Sequence, residues 1–227
     1  MGSTDRAGVY PSTDGLLSPN IDQQTLTYSK LSLGVLASGN GSNFEAIMAA
    51  IDRAELNAEV KVVICNNPGA NVLQKATHRG IRTVLLNHRE FESRVALDQA
   101  IVSALTAHGV DWVIMAGWMR RVTEQLISAF TGRLLNIHPS LLPSFPGLHA
   151  VRQALEANVT IAGCTVHHVE LVVDSGPIIM QAAVPVLPTD TEASLQARIQ
   201  VQEHQIYPAA IALAAHHQTI GPSARLH

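Results

Sequence analysis

The sequence predicts an α/β protein in which a mostly parallel sheet carries helices on both faces, followed by antiparallel strands and a long C-terminal helix. Two observations lead to this class. Short, nearly continuous apolar runs alternate with stretches of helical periodicity over residues 31–130, as in parallel sheets that are covered on both faces. After Gly132 this rhythm gives way to a proline-rich loop and two longer β runs.

The individual elements follow from the same patterns, bounded by glycine, proline and asparagine. The predicted strands are residues 31–37, 59–65, 81–86, 111–116, 134–137, 160–169 and 178–186. The predicted helices are residues 43–53, 72–79, 91–108, 123–130, 149–157 and 192–216. Gly109 is a typical helix-closing residue. Pro208 should kink the last helix, because proline lacks a backbone N–H and crowds the preceding turn.

Length and composition favour one domain with short extensions. The chain has 227 residues, of which 47% are hydrophobic and 15% charged, enough for a sizeable core. Residues 1–29 are rich in small and polar types without apolar periodicity, so we expect a poorly ordered extension. The predicted domain covers residues 30–217, and residues 218–227 form a tail.

Charge and cysteine usage exclude several classes of function. The formal net charge is -3 without a block of like charges, which argues against nucleic-acid partners and a polybasic membrane surface. Cys65 and Cys164 form no C-x-x-C pair, and neither a signal peptide nor an apolar run of about 18 residues is present. We therefore expect a cytoplasmic protein without a membrane span. His167 and His168 should face opposite sides of a strand, so no metal site is expected.

A glycine loop, S-G-N-G-S-N-F, lies between the first strand and the first helix. It departs from the dinucleotide fingerprint, because Phe44 takes the place of the third glycine and no acid ends the second strand. Gly41, Ser42 and Asn43 at a helix N-terminus instead suit a single phosphate. The alternative is a tight turn in which Ser42 only caps the helix.

A polar cluster follows in the second half of the chain. Asn136 and His138 stand two residues apart on an extended segment and should point to one side. An amide beside an imidazole can stabilise an oxyanion and relay a proton. Asp174, in D-S-G-P, could orient His138 and stabilise its charged form. The alternative is a hydrogen-bonded loop pair and a turn aspartate, but the end of a strand is where open α/β sheets place their chemistry.

Four motifs in order carry a resemblance over most of the chain, from about Leu33 to about Ala215. They are S-G-N-G-S-N, N-I-H-P-S-L-L-P-S-F-P-G-L-H, G-C-T-V-H-H-V and D-S-G-P-I-I-M-Q. Together they resemble the phosphoribosylglycinamide (GAR) formyltransferase family of purine biosynthesis. The resemblance implies a Rossmann-like formyltransferase fold and transfer of a formyl group from the co-substrate 10-formyltetrahydrofolate to the amine of GAR, without a metal. It also implies small-molecule partners and a monomer or homodimer.

The resemblance also implies roles for single residues. The catalytic residues would be Asn136, His138 and Asp174. The GAR-binding residues would be Gly41, Ser42, Asn43, Gln200 and Glu203. The folate-binding residues would be Arg94, Met119, Arg120, Arg121, Val122 and Asn136. Two features depart from the family pattern: Arg121 replaces a usually apolar residue, and the loop 170–173 is more apolar than the usual acidic one.

Three alternatives remain beside the GAR enzyme. A 10-formyltetrahydrofolate hydrolase shares the catalytic trio but usually carries an N-terminal regulatory domain, for which residues 1–29 are too short. A methionyl-tRNA formyltransferase would need a C-terminal RNA-binding domain. A non-catalytic nucleotide-binding module would keep the phosphate loop but would not need Asn136, His138 and Asp174.

Overall fold

The computed structural model describes residues 16–20 and 25–220. Within these residues the chain forms eight strands and six α-helices. The strands are β1 (Leu16–Ser18), β2 (Leu31–Ala37), β3 (Ala58–Cys65), β4 (Arg82–Leu85), β5 (Trp112–Met115), β6 (Leu134–His138), β7 (Ile161–His168) and β8 (Ile178–Pro185). The helices are α1 (Ser42–Asp52), α2 (Asn71–His78), α3 (Arg94–Ala107), α4 (Glu124–Ala129), α5 (Ala150–Glu156) and α6 (Glu192–Ile220).

All eight strands belong to one sheet, in the order β1-β8-β7-β6-β5-β2-β3-β4. Strands β4, β3, β2, β5 and β6 are parallel, and β7, β8 and β1 add to them in antiparallel fashion. The predicted fold class is confirmed. The chain winds outward from β2 through β3 and β4, then returns to place β5 on the other side of β2. Open α/β sheets bind ligands at such a switch point, beyond the carboxyl ends of the strands.

Two apolar clusters cover the faces of the sheet. Along β2, Leu33, Val35 and Ala37 pack into one cluster with α1, α2, α5 and α6, whereas Leu36 packs into the other with α3 and α4. This alternation is the normal consequence of successive side chains pointing to opposite faces of a strand. Because both faces are buried, the central strands read as continuous apolar runs in the sequence.

Helix α6 anchors the half of the sheet that carries the polar cluster. Tyr207 is fully buried, and its hydroxyl oxygen lies 3.1 Å from the Met115 carbonyl oxygen and 3.3 Å from that of Leu135. One side chain thus ties α6 to the last residue of β5 and to the second residue of β6. The helix runs through Pro208 without ending there. No helix among the described residues is long and apolar enough to cross a membrane.

Two predicted helix boundaries are wrong by three or four residues, and part of the N-terminal extension forms a strand. The helix expected over residues 91–108 begins at Arg94, because the Ser93 side chain accepts a hydrogen bond from the Ala96 N–H and so caps it. The last helix continues to Ile220 instead of ending at residue 216. Part of the extension expected to be poorly ordered, Leu16–Ser18, pairs with β8 and covers what would otherwise be the edge of the sheet. Residues 1–15 and 21–24 lie outside the described part.

Candidate active site

A cavity of about 680 Å³ opens beyond the carboxyl ends of β2, β5 and β6, a size typical of small-ligand sites. Its lining comes from the glycine loop, the ends of β5 and β6, the loops after them and helix α6. Of the residues singled out in the sequence, the structure places these together in the cavity: Gly41, Ser42, Asn43, Met119, Arg120, Arg121, Val122, Asn136, His138, Asp174, Gln200 and Glu203. Arg94 lies outside it and lines an adjoining cavity.

His138, the last residue of β6, has a neighbour at each ring nitrogen. Its Nε2 lies 2.9 Å from the Phe145 carbonyl oxygen, and because a carbonyl can only accept, Nε2 carries a hydrogen. Its Nδ1 lies 3.4 Å from Oδ2 of Asp174, and both side chains are buried. A proton on Nδ1 would be donated toward this carboxylate. Asp174 therefore fixes the ring and is a natural counter-charge for it.

Asp174 is itself held in an unusual backbone conformation. Its φ is 55°, the left-handed region that aspartate and asparagine tolerate better than most residues. Its Oδ2 accepts a hydrogen bond of 2.7 Å from the Gly147 N–H. One carboxylate oxygen thus connects the loop after β7, the proline-rich loop after β6 and the ring of His138.

His167 is a site residue that the sequence did not reveal. Its Nδ1 lies 2.8 Å from the His168 carbonyl oxygen and must donate to it, so in the neutral ring Nε2 is an acceptor. Nε2 accepts from Asn136 Nδ2 at 3.2 Å and lies 3.7 Å from Asp174 Oδ1. Burial lowers the pKa of His167, which favours the neutral ring.

The neutral ring of His167 sets the orientation of Asn136. Because Nε2 accepts, the amide nitrogen of Asn136 and not its oxygen must face it. The amide keeps its second N–H for a group in the cavity. Asn136 and His167 are paired across β6 and β7, and this pairing explains the contact. The sequence could not predict it, because the register of the two strands is a property of the folded sheet.

The glycine loop forms the N-terminus of α1. Gly41 is the N-cap with φ 74°, and a Cβ there would come within 2.6 Å of the Val72 side chain, so both conformation and space require glycine. No side chain caps the helix, so the alternative in which Ser42 is a cap is wrong. The first N–H groups of α1 have no helical acceptor and, with the helix dipole, make this end of the cavity attractive to an anion.

Helix α6 contacts the glycine loop through two side-chain hydrogen bonds. Gln200 Nε2 donates to Ser42 Oγ at 2.9 Å, and Asn43 Nδ2 donates to Glu203 Oε2 at 3.0 Å. Glu203 is only 5% exposed, and burial raises the pKa of its carboxyl. The two bonds fix one turn of α6 beside the start of α1.

The stretch after β5 forms the opposite wall. The Met119 N–H donates to Ser38 Oγ at 2.9 Å, while the residue as a whole is 67% exposed.

A second cavity adjoins the main one at this wall. The two cavities share Arg121, Val122, Gly147, Leu171 and Val173, and the other residues that line the second are Arg94, Thr123, Glu124, Pro146 and Val172. Within residues 16–20 and 25–220, the Arg94 and Arg121 guanidinium groups form no ion pair. This extension is therefore suited to an anionic group.

No group of three or more histidine, cysteine, aspartate or glutamate side chains in the described part of the chain could hold a metal ion. Within that part of the chain, His167 and His168 belong to no such group. His167 instead serves the hydrogen-bond network around Asn136.

Comparison with known proteins decides the family. The sequence profile described as formyl transferase matches residues 32–211, which include both the glycine loop and the Asn136–His138–Asp174 set. The chain belongs to the formyl transferase family. The cavity is lined largely by residues of the matched region, and the polar network lies within it.

Several relatives of this formyl transferase are named. The phosphoribosylglycinamide formyltransferases of Escherichia coli and Bacillus subtilis are 44% and 41% identical, over 80% and 78% of this chain and 85% and 91% of their own. The trifunctional purine biosynthetic protein adenosine-3 of Drosophila melanogaster is 46% identical over 84% of this chain. This chain spans only 14% of the length of that relative.

Solved structures agree with the fold. The crystal structure of glycinamide ribonucleotide transformylase 1 from Symbiobacterium toebii matches with a TM-score of 0.81 and 48% identity, covering 82% of this chain and 88% of that one. Phosphoribosylglycinamide formyltransferase from Bacillus halodurans matches with a TM-score of 0.78 and 38% identity, over 86% and 98%. The Rossmann-like formyltransferase fold implied by the resemblance is therefore confirmed.

Proposed function

We propose that this chain transfers the formyl group of 10-formyltetrahydrofolate to the amine of GAR, giving formyl-GAR and tetrahydrofolate in purine biosynthesis. The observation that carries the proposal is the arrangement of one cavity. It joins an anion-binding helix end, the Asn136–His138–Asp174 set and an arginine-lined extension. The names of the Escherichia coli and Bacillus subtilis relatives support the choice of substrate.

The phosphate of GAR would bind at the start of α1. The backbone N–H groups of Ser42 and Asn43 are available there, and the Gly41 turn allows close approach. Because Gln200 donates to Ser42 Oγ, the hydroxyl hydrogen of Ser42 remains free to donate to the phosphate. The ribose and amine region would then extend along α6 past Gln200 and Glu203 toward the catalytic residues.

In the reaction the amine nitrogen of GAR attacks the formyl carbon, and the bond from that carbon to folate N10 breaks. Negative charge develops on the formyl oxygen, and the free N–H of Asn136 would donate to it. The His138 ring, whose two nitrogens face Phe145 and Asp174, would act on that oxygen through its positive charge when protonated. A preorganised donor of this kind contributes about 3 kcal/mol. The proton lost by the amine would pass by way of His138 and Asp174 to N10 of the leaving folate.

Direct transfer is favoured over a covalent enzyme intermediate. Ser140, two residues after His138, is buried, and its hydroxyl donates to the Ser144 carbonyl oxygen at 2.6 Å. It therefore neither faces the cavity nor has a base that could activate it.

The folate would lie against Met119, Arg120, Arg121 and Val122, beside the exposed apolar side chains of the loop 170–173. Its glutamate tail would leave through the adjoining cavity, where Arg94 and Arg121 offer two cations beside the single acid Glu124.

Arg121→Leu should therefore weaken binding of long-tailed folates more than that of short-tailed ones. We expect KM for a triglutamyl 10-formyltetrahydrofolate to rise about 3- to 5-fold more than KM for the monoglutamate. The difference is small because a contact between solvent-exposed charges contributes little binding free energy. Arg89→Leu, which removes an exposed arginine outside both cavities, is the matched control. An equal change in both KM values would remove Arg121 from the tail site.

Ser42→Ala should raise KM for GAR about 10-fold with little change in kcat or in KM for the folate, since a hydrogen bond to a charged group is lost in the ground state and transition state alike. Steady-state kinetics with each substrate varied in turn measure this. Ser103→Ala, which removes a hydroxyl bonded to the Gln99 carbonyl on α3, is the control. A rise in the folate KM alone would contradict the placement of the phosphate.

The direct test is the release of deformylated folate with and without GAR. The proposal expects release only when GAR is present. Release independent of GAR would identify the 10-formyltetrahydrofolate hydrolase instead, and no release together with phosphate binding would identify a non-catalytic module.

A further inference from the structure

Asn43 lies at the phosphate end of the cavity, but its side chain faces elsewhere. Its Nδ2 donates to Glu203 Oε2, linking the first turn of α1 to α6 across 160 residues of sequence. Asn43 is 7% exposed and Glu203 5%, so the bond is sheltered from water. Both residues line the cavity.

The rest of the Asn43 side chain is also unsuited to an anion. Its Oδ1 is buried and, among the described residues, has no hydrogen-bond partner. An amide oxygen can only accept, and it would repel a phosphate oxygen. One N–H of the amide is donated to Glu203, and the amide oxygen would repel an anion, so the backbone N–H of Asn43 is its better-placed donor for the phosphate.

The hydrogen bond from Asn43 is important for the buried carboxylate of Glu203. In the described part of the chain, no cation pairs with its carboxylate, and the Asn43 amide donates the one hydrogen bond that it accepts. The titratable groups around it are the Cys164 thiol on β7 and the Tyr207 hydroxyl on α6, each of which feels its negative charge. Burial raises the pKa of Glu203, and the Asn43 bond opposes that rise.

We propose that Asn43 is a positioning residue, whose side chain donates to the Glu203 carboxylate and aims it at the ribose and amine region of GAR, while the backbone N–H of Asn43 contacts the phosphate. This rests on the proposed function for the identity of the ligand. The two polar residues of the glycine loop would then have different roles. Ser42 binds the phosphate, and Asn43 positions Glu203 against the part of GAR that reacts.

The kinetic test compares Asn43→Leu, which keeps the shape but loses the donor, with Ser42→Ala. For Asn43→Leu we expect kcat/KM for GAR to fall about 10-fold or more. The inhibition constant of inorganic phosphate, competing with GAR, should change less than about twofold, whereas Ser42→Ala weakens both. Parallel loss of phosphate and GAR binding in Asn43→Leu would overturn the proposal.

A double-mutant cycle tests the partner. Once Glu203→Gln has removed the carboxylate, Asn43→Leu should cost clearly less than it does in the parent protein. Full additivity of the two losses would show that Asn43 does not act through Glu203. Asn43→Ala repeats the comparison should the leucine variant fold poorly.

A readout on the free protein separates this proposal from the proposed function. In a ¹³C-glutamate NMR titration, with Glu203→Gln assigning the signal, Asn43→Leu should move the midpoint of Glu203 to higher pH, because loss of the donor leaves desolvation unopposed. In a plot of kcat/KM for GAR against pH, the rising part of the curve should also move to higher pH. An unchanged midpoint overturns the positioning role even if GAR is the substrate. A shifted midpoint in a protein that does not formylate GAR supports the positioning role and rejects the proposed function.

Discussion

His138→Ala is expected to lower kcat by at least about 100-fold, the range in which a positioned acid–base group and an oxyanion donor contribute. His138 ends β6 inside the cavity, with Nδ1 facing the Asp174 carboxylate at 3.4 Å. Loss of the ring removes the proton carrier and one of two groups near the developing charge. Single-turnover kinetics with both substrates saturating measure the loss.

His88→Ala is the matched control for this variant. The His88 ring is half-buried and, like that of His138, bonded to a backbone carbonyl, with Nδ1 3.0 Å from the Asn66 oxygen, but it lies outside both cavities. It should change kcat less than about twofold while costing a similar amount of stability, about 1 kcal/mol. Near-normal turnover in His138→Ala would remove His138 from the mechanism.

Asp174→Ala is expected to lose at least about 100-fold in turnover as well, because the ring of His138 then lacks its counter-charge. Asp174→Asn separates charge from structure. Asparagine tolerates the left-handed backbone and can still accept from the Gly147 N–H, so its stability should stay close to that of the parent, whereas alanine costs about 1 kcal/mol more. Both variants should be almost equally inactive.

Asp190→Asn is the control for the aspartate variants. Asp190 is paired with Arg198 at 2.6 Å, away from the cavity, so this change should lower the free energy of unfolding without altering kcat beyond about twofold. If Asp174→Asn retained near-normal turnover, the negative charge of Asp174 would have no part in catalysis.

The fold and the main polar cluster could be predicted because they depend on local patterns. Continuous apolar strands indicate a parallel sheet, and N-I-H at the end of such a strand must place its two polar side chains on one side. The short strand at Leu16–Ser18 could not be found this way. Three residues are too few to show the apolar–polar alternation of a strand, and this strand forms because the edge of β8 is available to pair with it.

The parts of the site that the sequence did not reveal depend on contacts between distant segments. His167 joins the network because β7 pairs with β6 in a register that sets it opposite Asn136. Asn43 was expected at a phosphate, yet its side chain turns to Glu203, which lies 160 residues away on α6. In both cases the sequence shows the residue type, but the hydrogen-bond partner of its side chain depends on how distant segments of the chain pack together.

The central claim is that the formyl group moves to the amine of GAR, and its most direct test follows a ¹³C label in that group. The protein is given labelled 10-formyltetrahydrofolate and GAR, and the product is analysed by NMR. The account predicts that the label appears as a formamide on GAR, in proportion to the tetrahydrofolate formed. Label found as free formate, with GAR unchanged, would contradict it.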